Sequence, residues 1–177
     1  LAKKMLYEGA RSYRAQYGLN AIYVTPTNMF GPRDNFNLAS SHVLPALIRK
    51  VEQAVTEGKN EVELWGTGSA SRDFMYVDDC VEGLIKALEL YDSPESLNLG
   101  SGTETTIKEA AHTIAKLLNY QGMFTWNASK PDGQPRRVLD ISRARQEIGF
   151  APQISFEEGI RRTIAWWQEH GATWERV

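Results

Sequence analysis

The stretch from Trp65 to Asp79 constrains this chain more than any other. Gly66 and Gly68 punctuate a turn, Arg72 follows among polar neighbours, Phe74 to Val77 is an apolar strand-like run, and Asp78 and Asp79 open an acidic helix start. That layout places Arg72 at the mouth of a cleft, with rigid structure on its C-terminal side. A guanidinium there suits a diphosphate, because its planar fork stays charged and pairs with two oxygens at once. The competing role is an ion pair with Asp73 or another carboxylate, and the stretch alone does not separate the two.

The 177 residues suffice for one domain with a core or for parts of two. A net charge of −2 gives no footprint for a nucleic-acid or membrane-surface partner. The single cysteine, Cys80, excludes an internal disulfide and fits a reducing, cytoplasmic setting. No apolar run approaches the roughly 20 residues a membrane helix needs. The chain opens at Leu1 without a methionine, already in a helical pattern, and reads as the C-terminal part of a longer protein.

Along the chain, residues 1–17 read as a helix stopped by Gly18. Ala21 to Thr25 is a buried-strand pattern, followed by an irregular loop from Thr27 to Pro32. Such a polar loop at a strand's carboxyl end is where α/β folds place ligands. Residues 33–41 read as loop. Leu44, Leu47, Ile48, Val51 and Val55 recur at helical spacing, with Ser40 or Ser41 as cap and Gly58 to Asn60 as the break. Val62 to Trp65 is a strand. Asp78 is placed to cap a helix whose buried face is Val81, Leu84, Ile85 and Leu88. Residues 96–100 alternate like a strand, and Met123 to Trp126 form another.

Two capping boxes, Thr106 with Glu109 and Ser155 with Glu158, start further helices. The first presents Ile107, Ala110, Ala111, Ile114, Leu117 and Leu118. The second presents Ile160, Ile164 and Trp167. Residues 127–137 are polar, with two prolines and one glycine, and read as loop. Strands alternate with helices throughout, which argues an α/β fold. Cysteine and histidine are too sparse for a metal site.

The run Arg72-Asp73-Phe74-Met75-Tyr76-Val77-Asp78 resembles a motif shared across the extended short-chain dehydrogenases/reductases. More specific are Pro26 to Pro32 with Asp34, Asn35 and Phe36, then Ser41 to Leu47, and Ser129 to Gly133 with Pro135 and Arg136. Through these the chain resembles the GDP-L-fucose synthase family, NADPH-dependent epimerase-reductases of GDP-4-keto-6-deoxymannose, from Leu1 to about Trp167. The resemblance implies the C-terminal part of a Rossmann-like NAD(P)-binding fold, residues 1–32, plus a smaller α/β substrate-binding domain, residues 33–177. Residues 74–100 would cross back to the larger domain.

By the same resemblance, Lys3 is the lysine of the catalytic tyrosine–lysine pair, contacting the nicotinamide ribose and lowering the tyrosine's pKa. That tyrosine, the catalytic serine or threonine, an assisting cysteine and the glycine-rich dinucleotide fingerprint would all lie upstream of Leu1. The chain by itself is therefore expected to be inactive. Pro26, Thr27, Asn28 and Met29 would line the nicotinamide side of the cofactor, NADPH, with NAD as the alternative. His42 would be the acid/base, a suitable role for an imidazole titrating near working pH. Taken alone, a histidine at a helix start is more often a cap or surface residue.

For substrate, the resemblance implies that Lys50 and Arg72 meet the diphosphate, with Lys50 standing where the family commonly has arginine. Trp65, Asp132 and, as a weaker candidate, Lys130 complete the set, although a strand-ending tryptophan is usually core. The remaining tryptophans, Trp126, Trp166 and Trp167, read as packing, and His112 and His170 as ordinary helix residues. The partners implied are a nucleotide sugar and a second copy, with homodimers formed through a helix bundle that includes residues 1–17. Two other readings stand beside this one: another NAD-dependent nucleotide-sugar epimerase or dehydratase, and a non-catalytic nucleotide-sugar-binding module.

Overall fold

The computed structural model describes residues 2–174. Helix α1 (Ala2–Tyr17) buries none of its side chains. It stops where Gly18, at φ +66°, donates its N–H to Arg14 O, a left-handed stop that glycine makes without a Cβ clash. Leu1, the first residue of the expected helix, lies outside the described residues.

Strand β1 (Val24–Pro26) begins three residues later than its apolar pattern suggested, because Ala21 N–H turns back onto Leu19 O. The segment expected as irregular loop instead contains strand β2 (Asn28–Phe30). Between the two, Thr27 N–H donates to Leu99 O. The extended run therefore pairs first with the strand ending at Leu99 and then changes partner. A change of partner, with a proline on one side and Gly31-Pro32 on the other, has no alternating pattern to announce it.

Helix α2 (Val43–Glu57) is capped at His42, without a side-chain cap bond, and ends at Gly58, at φ +65°. Neither expected serine caps it: Ser40 Oγ accepts from Asn35 Nδ2, and Ser41 Oγ is buried without a partner among the described residues. Leu44, Leu47, Ile48 and Val51 are buried as their spacing requires, while Ala54 takes the place expected of Val55. Strand β3 (Glu61–Trp65) alternates, burying Val62 and Leu64.

Strands β4 (Ser71–Arg72) and β5 (Phe74–Tyr76) lead straight into helix α3 (Val77–Leu90). Its N-cap is Tyr76, not Asp78. The chain enters the helix directly from an extended strand residue, so both aspartates fall in the first turn, where their charge favours the dipole. Asp79 accepts from Gln153 N–H at 2.8 Å and Ile154 N–H at 2.9 Å. The expected buried face is also wrong. Val81, Leu84, Ile85 and Leu88 are exposed, and α3 buries Asp79, Cys80, Gly83 and Ala87 instead. Small residues let the helix approach closely: a Cβ on Gly83 would lie 2.8 Å from Phe150.

Strands β6 (Leu97–Leu99) and β7 (Thr105–Thr106) follow, then helix α4 (Ile107–Leu117), which starts with the complete capping box of Thr106 and Glu109. Strand β8 (Met123–Asn127), strand β9 (Arg136–Arg137), helix α5 (Ser142–Ile148) and helix α6 (Phe156–Trp174) complete the order. Ahead of α6, Ser155 Oγ accepts from Glu158 N–H, but the Glu158 carboxylate turns to Arg162 and Arg161, so only half of that box forms.

The pairs β1–β6, β2–β5 and β3–β8 are parallel. In the three-stranded sheet β7-β4-β9, β4 is antiparallel to β7 and parallel to β9. The chain is an α/β protein, as the alternation of its elements predicts. Strand β5 divides its side chains between two buried clusters. Phe74 and Tyr76 join α2, α4 and α6 in one cluster, while Met75 joins Cys80, Leu97, Leu99 and Phe150 in the other. Among the described residues no helix is long and apolar enough to cross a membrane.

Candidate functional site

Arg72 is fixed from both sides. It sits in the central strand of the three-stranded sheet, opposite Thr105 on one edge and Arg137 on the other. Its Nη1 donates to Ser71 O at 2.7 Å and to Gln134 O at 2.6 Å. Asp73, the nearest candidate for an ion pair, turns its carboxylate to Ser101 instead. The Nε and Nη2 donors meet no acceptor among the described residues. Beside them is Gly133, at φ +75°, where a Cβ would lie 3.4 Å from Nη2. A guanidinium half-anchored by carbonyls, with its other donors open, is equipped to take phosphate oxygens.

Trp65 departs from the usual core tryptophan, being 64% exposed at the end of β3. Lys130 Nζ lies 5.4 Å and Lys50 Nζ 6.0 Å from its ring, within the range of cation–π attraction. Lys50 Nζ also donates to Glu63 O at 3.1 Å. An exposed indole with two ammonium groups over its ring gathers aromatic surface and positive charge in one place, the two features a nucleotide's base and phosphates need.

Asp132 ties the loop that carries Lys130 and Gln134 to the glycine turn. Its Oδ1 accepts from Thr67 N–H at 2.7 Å and its Oδ2 from Thr67 Oγ at 2.8 Å. These bonds hold the carboxyl below its ordinary range, the backbone N–H contributing most. Gly66, at φ +77°, is pressed against this carboxylate, so a side chain there would push the strap away. Lys50, Trp65 and Lys130 are thus assembled directly, and Arg72 and Asp132 join them through one loop.

The residues expected on the cofactor side are placed differently. Thr27 is buried, its Oγ donating to Asp73 O at 3.0 Å, and Asn28 Nδ2 donates to the same oxygen at 2.9 Å. Pro26 ends β1, while the side chain of Met29 is exposed. Lys3 is exposed near the start of α1, its carbonyl accepting from Tyr23 Oη at 3.0 Å. His42 is exposed at the start of α2. No described contact joins Lys3 or His42 to the Trp65 cluster.

A cavity of about 760 Å³, lined by Arg33, Phe36, Trp167 and Trp174 among others, touches none of these candidates. The sequence reading missed Thr67, Ser101 and Glu104. Glu104 accepts from Ser71 Oγ at 2.5 Å and Arg136 Nε at 2.8 Å. The position of Thr67 between two glycines is a signal that could have singled it out. Nothing local marks Ser101 or Glu104, because their partners lie about thirty positions away.

Residues 1–100 match the NAD dependent epimerase/dehydratase family. GDP-L-fucose synthase 1 of Arabidopsis thaliana is 40% identical over 167 residues, covering 94% of this chain and 51% of that protein. A GDP-L-fucose synthetase from Naegleria fowleri superposes with a TM-score of 0.88 at 32% identity, over 97% of this chain and 55% of that one. Its NADP-bound structure superposes at 0.87, with 32% identity over 97% and 53% of the two chains. The chain spans about half the length of the curated relatives it matches. With a parallel α/β fold, a family match over residues 1–100 and GDP-L-fucose synthases among its relatives, the chain belongs to the NAD dependent epimerase/dehydratase family.

Proposed function

We propose that this chain is the nucleotide-sugar half of an enzyme that epimerises and reduces GDP-4-keto-6-deoxymannose to GDP-L-fucose with NADPH. The observation that carries the reading is Trp65, open to solvent between Lys50 and Lys130. Guanine stacks on the indole, the two ammonium groups and Arg72 take the diphosphate, and Asp132 holds the loop that closes around it. Residues 33–177 form mainly the substrate domain, residues 1–32 belong to the Rossmann-like domain, and residues 74–100 cross back to it.

The residues present fit one side of a dinucleotide cofactor. Exposed Lys3 and Met29 are available to the nicotinamide ribose and ring, while Thr27 and Asn28 fix the strand end through Asp73 O. The pyrophosphate of such a cofactor needs a glycine-rich turn at a helix N-terminus, and no Gly-x-x-Gly-x-x-Gly occurs in these 177 residues. Bound NADPH supplies the hydride. His42 supplies or accepts the proton that inversion and reduction require. Turnover by these residues alone is not expected.

Lys50, in place of the arginine common in GDP-L-fucose synthases, favours a second reading: a related NAD-dependent nucleotide-sugar epimerase or dehydratase with a looser diphosphate grip. Two measurements decide. The chain titrated with GDP should quench tryptophan fluorescence at Trp65, and absence of binding sinks the nucleotide-sugar reading. A form carrying the family's glycine-rich half, given GDP-4-keto-6-deoxymannose, should oxidise NADPH. Tightly held NAD that survives turnover favours the second reading, and GDP binding without any turnover favours a non-catalytic binding module.

A further inference from the structure

Asp73 is fully buried, and no ion-pair partner surrounds it among the described residues. Its Oδ1 accepts from Ser101 Oγ at 2.6 Å and Ser101 N–H at 2.9 Å. Its Oδ2 has no hydrogen-bond partner and is pressed against Gly100. A carboxylate left half-satisfied in a protein interior is costly and asks for an explanation. The backbone of the same residue is a junction. Its carbonyl takes the Thr27 and Asn28 side chains, and its N–H donates to Arg137 O at 2.9 Å.

On the other side of Arg72, Ser71 Oγ reaches Glu104 in the same segment that holds Ser101. Both neighbours of Arg72 therefore bind one loop, residues 101–104, whose continuation at Thr105 and Thr106 pairs with Ser71 and Arg72. From this we infer that Asp73 is the positioning residue for Arg72: its charged grip on Ser101 locks the loop and β7 against β4, and so aims the guanidinium at the diphosphate. The inference rests on reading Arg72 as the phosphate anchor.

The substitution Asp73→Asn keeps shape and removes the charge. With its oxygen toward Ser101 the amide keeps both bonds only as weaker, neutral ones and buries an NH₂ in the acceptor-free place at Gly100, and the other way round its NH₂ meets the Ser101 N–H. The loop then loosens and Arg72 loses its aim, while Trp65, on β3, is untouched. A loss confined to the phosphates separates positioning from general damage to the fold.

The chain, D73N, S101A, R72A and R72A/D73N are each titrated with GDP and with guanosine, read by tryptophan fluorescence. D73N should weaken GDP about ten- to a hundredfold, the loss of a charged hydrogen-bonded contact, and leave guanosine within about twofold. S101A, which keeps the carboxylate, should weaken GDP in the same direction and serves if D73N does not fold. In the R72A background D73N should add no further loss. Parallel losses of GDP and guanosine, or an undiminished D73N effect without Arg72, overturn the inference while leaving the nucleotide site standing. Failure of the unmodified chain to bind GDP overturns both.

Discussion

At the scale of single residues, exposure separates the packed Trp167 from Trp65, the tryptophan proposed to meet a ligand. Trp167 is 6% exposed, its ring stacked 4.2 Å from Phe36 and its indole N–H donating to Glu52. Truncating it should cost about 3–5 kcal/mol of stability. Trp65→Ala removes a side chain that is 64% exposed, so the melting temperature should stay nearly unchanged. Base stacking is worth about 1–3 kcal/mol, so GDP affinity should fall roughly 5- to 150-fold. Calorimetry and titration on the same two variants check the contrast, and a W65A that melts early without losing GDP affinity returns Trp65 to the core.

Asp132 carries a pH dependence whose sign follows from its partners. Thr67 N–H and Oγ lower its folded pKa below the unfolded value of 3.8. A lowered carboxyl makes its contribution fully above the unfolded value and loses it as pH falls through the folded one. The loop strap should therefore be intact at neutral pH and release only in acid. The Thr67 amide resonance should titrate with a midpoint below 3.8. A midpoint at or above that value means the strap is not made.

At the scale of elements, helix α3 tests which of its faces is structural. Its apolar residues Val81, Leu84, Ile85 and Leu88 stand in solvent, and its buried contact runs through Gly83 and Ala87. Gly83→Val would drive a side chain into Phe150 and Leu99, which lie 2.8 and 3.0 Å from a Cβ there. Overpacking of this kind costs about 1–3 kcal/mol, while Leu84→Lys should cost less than about 0.5 kcal/mol. Urea unfolding of the two variants reads the difference, and a reversed order would place the α3 face the other way round. Thr106→Ala should cost about 1 kcal/mol by removing the cap that Glu109 N–H uses at 3.1 Å.

Local chemistry explains what could be read from the sequence at this scale. The box at Thr106 closes within four residues, and the stops at Gly18 and Gly58 within five. Features set by distant partners could not be read the same way. The α3 face was misjudged because periodicity reports which residues are apolar, not whether something covers them. The strand at Asn28–Phe30 forms only because Phe74–Tyr76 lies beside it. For the site, residue chemistry pointed to Arg72 alone; Lys50 and Trp65 came only from the family resemblance, since a strand-ending tryptophan by itself reads as core. The bonds that tie the loops around them, Asp132 to Thr67 and Asp73 to Ser101, span 65 and 28 positions.

At the scale of the molecule, two surfaces lack cover among the described residues. Helix α1 is 16 residues long with no buried side chain, and it exposes Met5, Leu6, Tyr13 and Tyr17. Its ties to the rest are few and mostly exposed: the Lys3 carbonyl to Tyr23, the Tyr7 ring 5.2 Å from the Tyr23 ring, Tyr7 Oη to Glu95, Arg14 to Asn20 and the Arg14–Asp92 ion pair. A helix only just longer than the roughly 12–15 residues below which isolated helices are marginal depends on packing for most of its stability, and this one has little. Apolar patches of this kind on α1 and α3 favour association.

The two effects are linked by mass action, because covering α1 stabilises it only when a partner is bound. Amide exchange in residues 2–17 should therefore slow as the protein is concentrated, in step with a rise in mass by light scattering, while the cluster around Ile48 and Ile114 stays protected at every concentration. Replacing Leu6 and Leu88 with lysine should lower the association without loosening that cluster. A monomer at all concentrations with α1 fully protected would mean that Tyr7, Tyr23 and Arg14 suffice to hold the helix, and that its apolar face needs no second surface.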